Sequence, residues 1–154
     1  MSNGLPAPVA RLTVLTLGVS DMRKSIAFYG ALGFVRKMSA TGEEVAFFDT
    51  GGAVLALYPW SKLAQDAALP EQPRPVGFRG MTLAWNCAST QEVDDVLAFA
   101  VARGASVLKP AHRTDYGGYS GYFADPDGHP WEVVVAPGSR WATIAGCICP
   151  TKSE

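Results

Sequence analysis

The chain has 154 residues, of which 48% are hydrophobic and 18% charged, and its 13 basic and 14 acidic residues give a formal net charge of −1. This length suits one domain or two small fused modules, and the composition excludes the low hydrophobicity and high net charge of a disordered chain. No Lys/Arg run and no apolar run of about 18 residues occurs, so we expect neither a nucleic-acid nor a membrane partner.

The cysteines indicate a reducing compartment. Cys87, Cys147 and Cys149 are too few, and odd in number, for a disulfide framework. The N-terminal tail 1–10 lacks the basic and apolar regions of a signal peptide, which favours a cytoplasmic protein. The C-terminal tail 138–154 is apolar for a tail, and we expect it to dock on its own domain or on a partner chain.

Residues 11–60 predict a strand, a helix and three more strands. The segment 11–19, RLTVLTLGV, is rich in the leucine and β-branched residues that strands favour. Asp21 is a typical N-cap for the helix that follows it, and Gly33 is a natural stop. The turn sequence 49–52 separates the last two strands.

Residues 81–137 repeat this order. A strand leads to Ser89, which begins a capping box with Glu92, and Gly104 ends the predicted helix. The turn 125–128, Asp-Pro-Asp-Gly, again separates the last two strands.

The two copies align with a small change in length. Their first strands have an offset of 68 residues (83 − 15) and their turns an offset of 76 (125 − 49). The proline-containing segment 61–80 is then the linker, with a short helix predicted near 63–68. The sequence therefore predicts an α+β fold of two tandem βαβββ modules, 11–60 and 81–137.

Three segments resemble the vicinal oxygen chelate superfamily, which groups glyoxalases, bleomycin-resistance proteins and extradiol dioxygenases. The segments are 17–34 with its Phe-Tyr and Leu-Gly-Phe motifs, 93–104, and 117–132 with Asp-Pro-Asp-Gly followed by Glu132. The resemblance spans about 11–137 and implies curved mixed sheets around a shared cavity. It also implies a homodimer, since relatives often dimerise and some exchange modules.

The resemblance also places four metal ligands in that cavity, two from each module. In this sequence those positions hold Val14, Ala56, Thr82 and Glu132. Valine and alanine offer no lone pair, and the threonine hydroxyl is a weak neutral donor, whereas divalent metals prefer imidazole and carboxylate. We therefore expect no metal and no other cofactor.

Alternation along the strands predicts which other residues face the cavity. The polar or small residues with the phase of Glu132 are proposed to bind the ligand: Thr16, Ala56, Tyr58, Thr82 and Asn86. Glu132 is the candidate catalytic residue, because desolvation in a partly dry pocket raises the pKa of a carboxyl group. The alternative is a carboxylate that is retained by descent and bonds to a neighbouring hydroxyl or to water.

Three further residues are less directly placed. Tyr119, in a glycine-rich stretch, either covers the pocket mouth or packs within its turn. His129 is out of phase with Glu132 and faces the helix side or the turn surface. His112 lies in a polar loop, where a surface histidine is favoured over one at the cavity rim.

Three functions are compatible with these residues. The first is metal-independent binding of a small aromatic or cationic molecule, as the resemblance to bleomycin-resistance proteins implies. The second is a glyoxalase-like lyase or isomerase, or a dioxygenase, with Glu132 as a general base. The third is a non-catalytic module whose cavity is vestigial.

Overall fold

The computed structural model describes residues 10–70, 73 and 76–138. The expectations for the segment 139–154, including Cys147 and Cys149, and for most of the N-terminal tail lie outside these residues. Within them, no helix has the length and apolarity needed to cross a membrane.

In the part of the chain that the structure describes, eight strands and three α-helices follow the predicted order. They are β1 (Val14–Val19), α1 (Met22–Ala31), β2 (Val35–Lys37), β3 (Ala46–Asp49), β4 (Val54–Pro59), α2 (Trp60–Asp66), β5 (Leu83–Asn86), α3 (Thr90–Val101), β6 (Ser106–Arg113), β7 (Tyr119–Ala124) and β8 (Pro130–Val135). Sheet A has the order β1-β4-β3-β2 and sheet B the order β5-β8-β7-β6. β1 pairs with β4, and β5 with β8, in parallel, and the remaining strand pairs are antiparallel. The predicted α+β class is confirmed.

Local signals place the ends of the two long helices. The Asp21 side chain accepts from the Lys24 amide at 3.0 Å, and the Ser89 hydroxyl accepts from the Glu92 amide at 3.1 Å. Glu92 reaches back to the amide of Ala88 at 2.6 Å, one residue before the N-cap. Both predicted N-caps are therefore confirmed.

The short helix α2 begins three residues before the predicted 63–68. Pro59 ends β4 with φ of −56° and has no amide to donate, so a helix can start directly after it. α2 then packs against β1 and β4 of the first module. Gly18 permits this contact, because a Cβ atom there would lie 2.9 Å from Cε3 of Trp60.

One hydrophobic core joins the two modules. The ring of Tyr29 lies 6.0 Å from that of Trp131, and the ring of Phe34 lies 5.7 Å from Trp131 and 5.6 Å from Trp85. Leu17 on the helix-facing side of sheet A belongs to the same core. The helix-facing side of sheet B therefore packs against α1 and the segment that follows it.

The segment 125–129, which we call the acidic turn, crosses from the second module to the first. The Asp127 carboxylate is 2% exposed. It accepts from the Ser20 amide at 2.9 Å, from the Ser20 hydroxyl at 2.6 Å and from the Ser25 hydroxyl at 3.1 Å. A buried charge of this kind is tolerated because donors satisfy it, and here three come from the other module.

Asp125 is the second buried carboxylate of the acidic turn. Its Oδ1 accepts from the amides of Asp127 and His129 at 2.9 and 2.8 Å, which shapes the turn. Its Oδ2 accepts from the Tyr29 hydroxyl at 2.7 Å. The Trp131 indole donates to that hydroxyl at 3.2 Å, so Tyr29 both donates and accepts inside the core.

Asp127→Asn should lower the free energy of unfolding by about 2 kcal/mol or more, because it removes a charged acceptor shared by three donors. Urea unfolding followed by circular dichroism measures the change. Asp95→Asn is the matched control on the exposed surface of α3, and we expect it to stay within about 0.5 kcal/mol of the parent. Equal effects of the two substitutions would contradict the role of Asp127.

Stability should also fall at alkaline pH because of Tyr29. Burial, then the charge and hydrogen bond of Asp125, raise the pKa of Tyr29 well above 10 in the folded chain. The stabilisation is complete below about pH 10, where an unfolded tyrosine titrates, and is lost as the pH rises beyond it. The free energy of unfolding, measured from about pH 9 to about pH 11, should fall less steeply with pH in Tyr29→Phe than in the parent. The control Tyr116→Phe, on a 60% exposed ring, should retain the parent slope.

Candidate functional site

Glu132 lies in the middle of one face of sheet B. It pairs with Ala84 of β5 on one side and with Tyr122 of β7 on the other. Trp131 and Val133, its neighbours along β8, are buried in the core, whereas Glu132 is half-buried. The carboxylate is therefore on the face of the sheet opposite the core, as the predicted alternation requires.

Tyr122 is the nearest functional partner of Glu132. The two residues are cross-strand partners, and loss of hydration together with the nearby Glu132 carboxylate raises the pKa of Tyr122 to about 12. The phenol therefore stays neutral over the physiological range. Sequence reasoning missed Tyr122, although the hairpin around the acidic turn pairs Ala124 with Pro130 and hence Tyr122 with Glu132.

Two more polar residues share this face of sheet B. Asn86 pairs with Val134, and His112 pairs with Ser120. Asn86 is exposed and His112 half-buried, with its Nδ1 3.3 Å from the Pro110 carbonyl. Thr82 precedes β5 and is exposed. We call the surface formed by Ala84, Asn86, Tyr122 and Glu132 the Glu132 face.

The predicted residues of the first module lie on the corresponding face of sheet A. Thr16 pairs with Ala56, which is 1% exposed. Tyr58 lies two residues further along β4 and is half-buried. Loss of hydration and the nearby Asp66 carboxylate of α2 raise the pKa of Tyr58, and α2 packs against β1 and β4 at this end of the sheet.

The two faces do not share either of the two pockets described for this chain. Because the core lies against the helix-facing sides of the sheets, both faces lie away from it. A pocket of about 620 Å³ lies between the linker and the acidic turn, and another of about 240 Å³ lies at the start of α3. Neither is lined by residues of both faces.

Two other residues singled out from the sequence lie away from the Glu132 face. Tyr119 is out of phase with Tyr122 along β7, and its hydroxyl donates to Asp94 of α3 at 2.9 Å. That hydrogen bond raises the pKa of Tyr119. His129 is buried at the module boundary, with Nε2 2.8 Å from the Gly18 carbonyl. Both side chains connect elements of the fold.

The side chains at the positions implied for metal ligands are a poor set of donors. Val14 and Ala56 are hydrocarbon, Thr82 offers a hydroxyl, and Glu132 alone offers a carboxylate. Across the described ranges 10–70, 73 and 76–138, no group of three or more His, Cys, Asp or Glu side chains is arranged to hold a metal ion.

Comparison with known proteins identifies the family. The model of the Glyoxalase/Bleomycin resistance protein/Dioxygenase superfamily matches residues 11–133. The chain belongs to this superfamily. The predicted resemblance is thereby confirmed, and the superfamily match extends through both modules as far as Val133.

Individual relatives within the superfamily carry more specific names. The chain is 29% identical over 124 residues to the metallothiol transferase FosB of Lysinibacillus sphaericus, covering 80% of this chain and 81% of the relative. A crystal structure of a glyoxalase-related enzyme from Fulvimarina pelagi is 35% identical, with a TM-score of 0.74, and the match covers 84% and 90% of the two chains. A superfamily enzyme from Burkholderia phytofirmans has a TM-score of 0.70 at 23% identity, which supports the fold.

Proposed function

We propose that this superfamily member binds a small organic molecule that presents a cationic or hydrogen-bond-donating group to the Glu132 face. The observation that carries the proposal is the half-buried Glu132 carboxylate with the neutral Tyr122 phenol as its cross-strand partner. A half-buried carboxylate attracts a hydrogen-bond donor or a cation, and partial desolvation strengthens that attraction. Asn86 adds a neutral donor and acceptor on the same face.

The proposed binding requires no resident metal. The curated relatives are named metallothiol transferases, but the four positions at which the resemblance places ligands supply one carboxylate and one hydroxyl in this chain. Such a set does not fit the imidazole and carboxylate coordination of zinc, nickel, iron or manganese. The ligand must then be recognised by hydrogen bonds, charge and apolar contact.

We further propose that a second copy of the chain completes the site. The two faces that the sequence assigns to one cavity both lie away from the core, and the face of sheet A carries an apolar residue open to solvent. This residue is Val14, which is 42% exposed. If sheet A of one copy covers sheet B of another, Thr16 and Tyr58 come to lie opposite Glu132, in a cavity between chains.

Ala84→Arg should shift this dimer towards monomer in sedimentation equilibrium, because it places a long cation in the middle of the Glu132 face. Ala98→Arg, on the exposed surface of α3, is the matched control and should leave the association unchanged. A parent chain that stays monomeric at all concentrations would contradict the second copy.

A second candidate function is enzymatic proton transfer. Tyr122 favours it, because a neutral phenol beside a carboxylate places a hydrogen-bond donor next to a base. Glu132 would remove a proton from a carbon next to a carbonyl, and Tyr122 would donate to the oxygen that gains charge. A catalyst should show turnover that Glu132→Gln abolishes and Tyr122→Phe reduces, whereas a binding protein shows neither.

Glu132→Gln should weaken binding of 1-naphthylmethylammonium at least about tenfold, because a charge-assisted hydrogen bond becomes a neutral one. Binding of 1-naphthoate, which has a similar ring and the opposite charge, should not weaken. Isothermal titration calorimetry measures both ligands. Glu43→Gln is the control, since Glu43 pairs with Arg23 on the exposed surface of the first module.

Two results would contradict the proposed binding. One is equal affinity of the parent and Glu132→Gln for the ammonium ligand. The other is stoichiometric metal in the purified parent, detected by mass spectrometry and lost in Glu132→Gln, since that result would make Glu132 a metal ligand.

A further inference from the structure

The pocket of about 620 Å³ opens on the same face of sheet B as Glu132. Its floor is a row of three residues across the sheet, since Ser106 pairs with Ala124 and Ala124 pairs with Pro130. Pro130 and Ala124 lie two residues along their strands from Glu132 and Tyr122. At about 3.3 Å per residue, the floor of the pocket is therefore about 7 Å from the Glu132 row.

The pocket is bounded mainly by apolar side chains that solvent can reach. Val76 is fully exposed, Phe78 is 76% exposed, and Leu108 is 55% exposed. Large apolar side chains around a concavity gain free energy when an apolar surface covers them. The volume falls within the range of roughly 300–1,000 Å³ that is typical of small-molecule sites.

Arg79 fixes the wall that the linker contributes. Its Nη2 donates to the Asp127 carbonyl at 2.7 Å, and its Nη1 lies 3.1 Å from Nδ1 of His129. Its guanidinium also lies 5.3 Å from the ring of Trp60 in α2. The guanidinium is thus engaged by the acidic turn and α2, and the pocket lies beside the row that carries the Glu132 carboxylate.

We infer that this pocket, between the linker residues 76–79 and the Ser106–Ala124–Pro130 row, holds the apolar body of the ligand whose cationic group reaches Glu132. The inference rests on the proposed function and specifies its ligand as an arylalkyl ammonium compound. The aromatic body lies on the floor of the pocket, and the ammonium group lies about 7 Å along β8. The pocket then recognises the size of the aromatic body, and Glu132 on the same face of the sheet recognises the charge of the ammonium group.

A pair of ligands that differ in ring size tests the apolar part. The parent chain should bind 1-naphthylmethylammonium about tenfold more tightly than benzylammonium, because the second ring buries more apolar surface. Ser106→Phe places an aromatic side chain on the floor of the pocket and should abolish that preference. Ser106 is exposed on the edge strand β6, so the substitution spares the core.

Val107→Phe is the matched control. Val107 is the next residue on β6 and pairs with Phe123, so its side chain lies on the opposite face of sheet B. The Val107→Phe variant should retain the preference of the parent chain for the naphthyl ligand. Leu108→Gln provides an independent variant of the wall and should reduce the preference without filling the pocket. Urea unfolding of each variant establishes that it is folded before titration calorimetry.

The outcomes separate this inference from the proposed function. Loss of the ring-size preference in Ser106→Phe and Leu108→Gln, together with weaker binding of both amines in Glu132→Gln, supports both. An intact preference in Ser106→Phe and Leu108→Gln, with Glu132→Gln still weakening both amines, overturns the pocket and leaves the proposed function standing. If Glu132→Gln leaves the affinity for both amines unchanged, the pocket inference and the proposed function are both overturned, because the ammonium group then lies elsewhere.

Discussion

The two buried carboxylates of the acidic turn hold the modules in their relative positions. Asp127 is satisfied by Ser20 and Ser25 of the first module, and Asp125 by Tyr29 of α1. A carboxylate removed from water is very costly unless charge-assisted hydrogen bonds replace its hydration. Any displacement of one module against the other therefore leaves a buried charge without donors, and the packing of Tyr29 on Trp131 reinforces the same arrangement.

The acidic turn also determines the position of the candidate site. β8 starts at Pro130, directly after the turn, so the orientation of the turn sets which residues of β8 face the core and places Glu132 on the outer face. Arg79 connects the linker to the Asp127 carbonyl and to His129 of the same turn. One cluster of buried polar groups thus supports both the Glu132 row and the wall of the neighbouring pocket.

Sequence reasoning was most successful where the cause was local. Asp21 and Ser89 cap helices with their own side chains, and alternation along a strand placed Trp131 inside and Glu132 outside. It was less successful where a partner comes from a distant part of the chain. From the sequence alone, Tyr122 and Tyr119 are equally plausible ligand-binding residues. The structure distinguishes them, because Tyr122 pairs with Glu132 whereas Tyr119 donates to Asp94 of α3.

The sequence by itself determined the order of elements, the repeat of the βαβββ module and the superfamily, because caps, turns and strand periodicity are encoded by neighbouring residues. It also determined that Val14 and Ala56 contribute no metal-binding side chain. Only the tertiary structure decided that the acidic turn is a contact between modules and that both predicted faces lie away from a common core. Those features depend on contacts across about 100 residues of chain, such as Ser20 with Asp127, which no local pattern records.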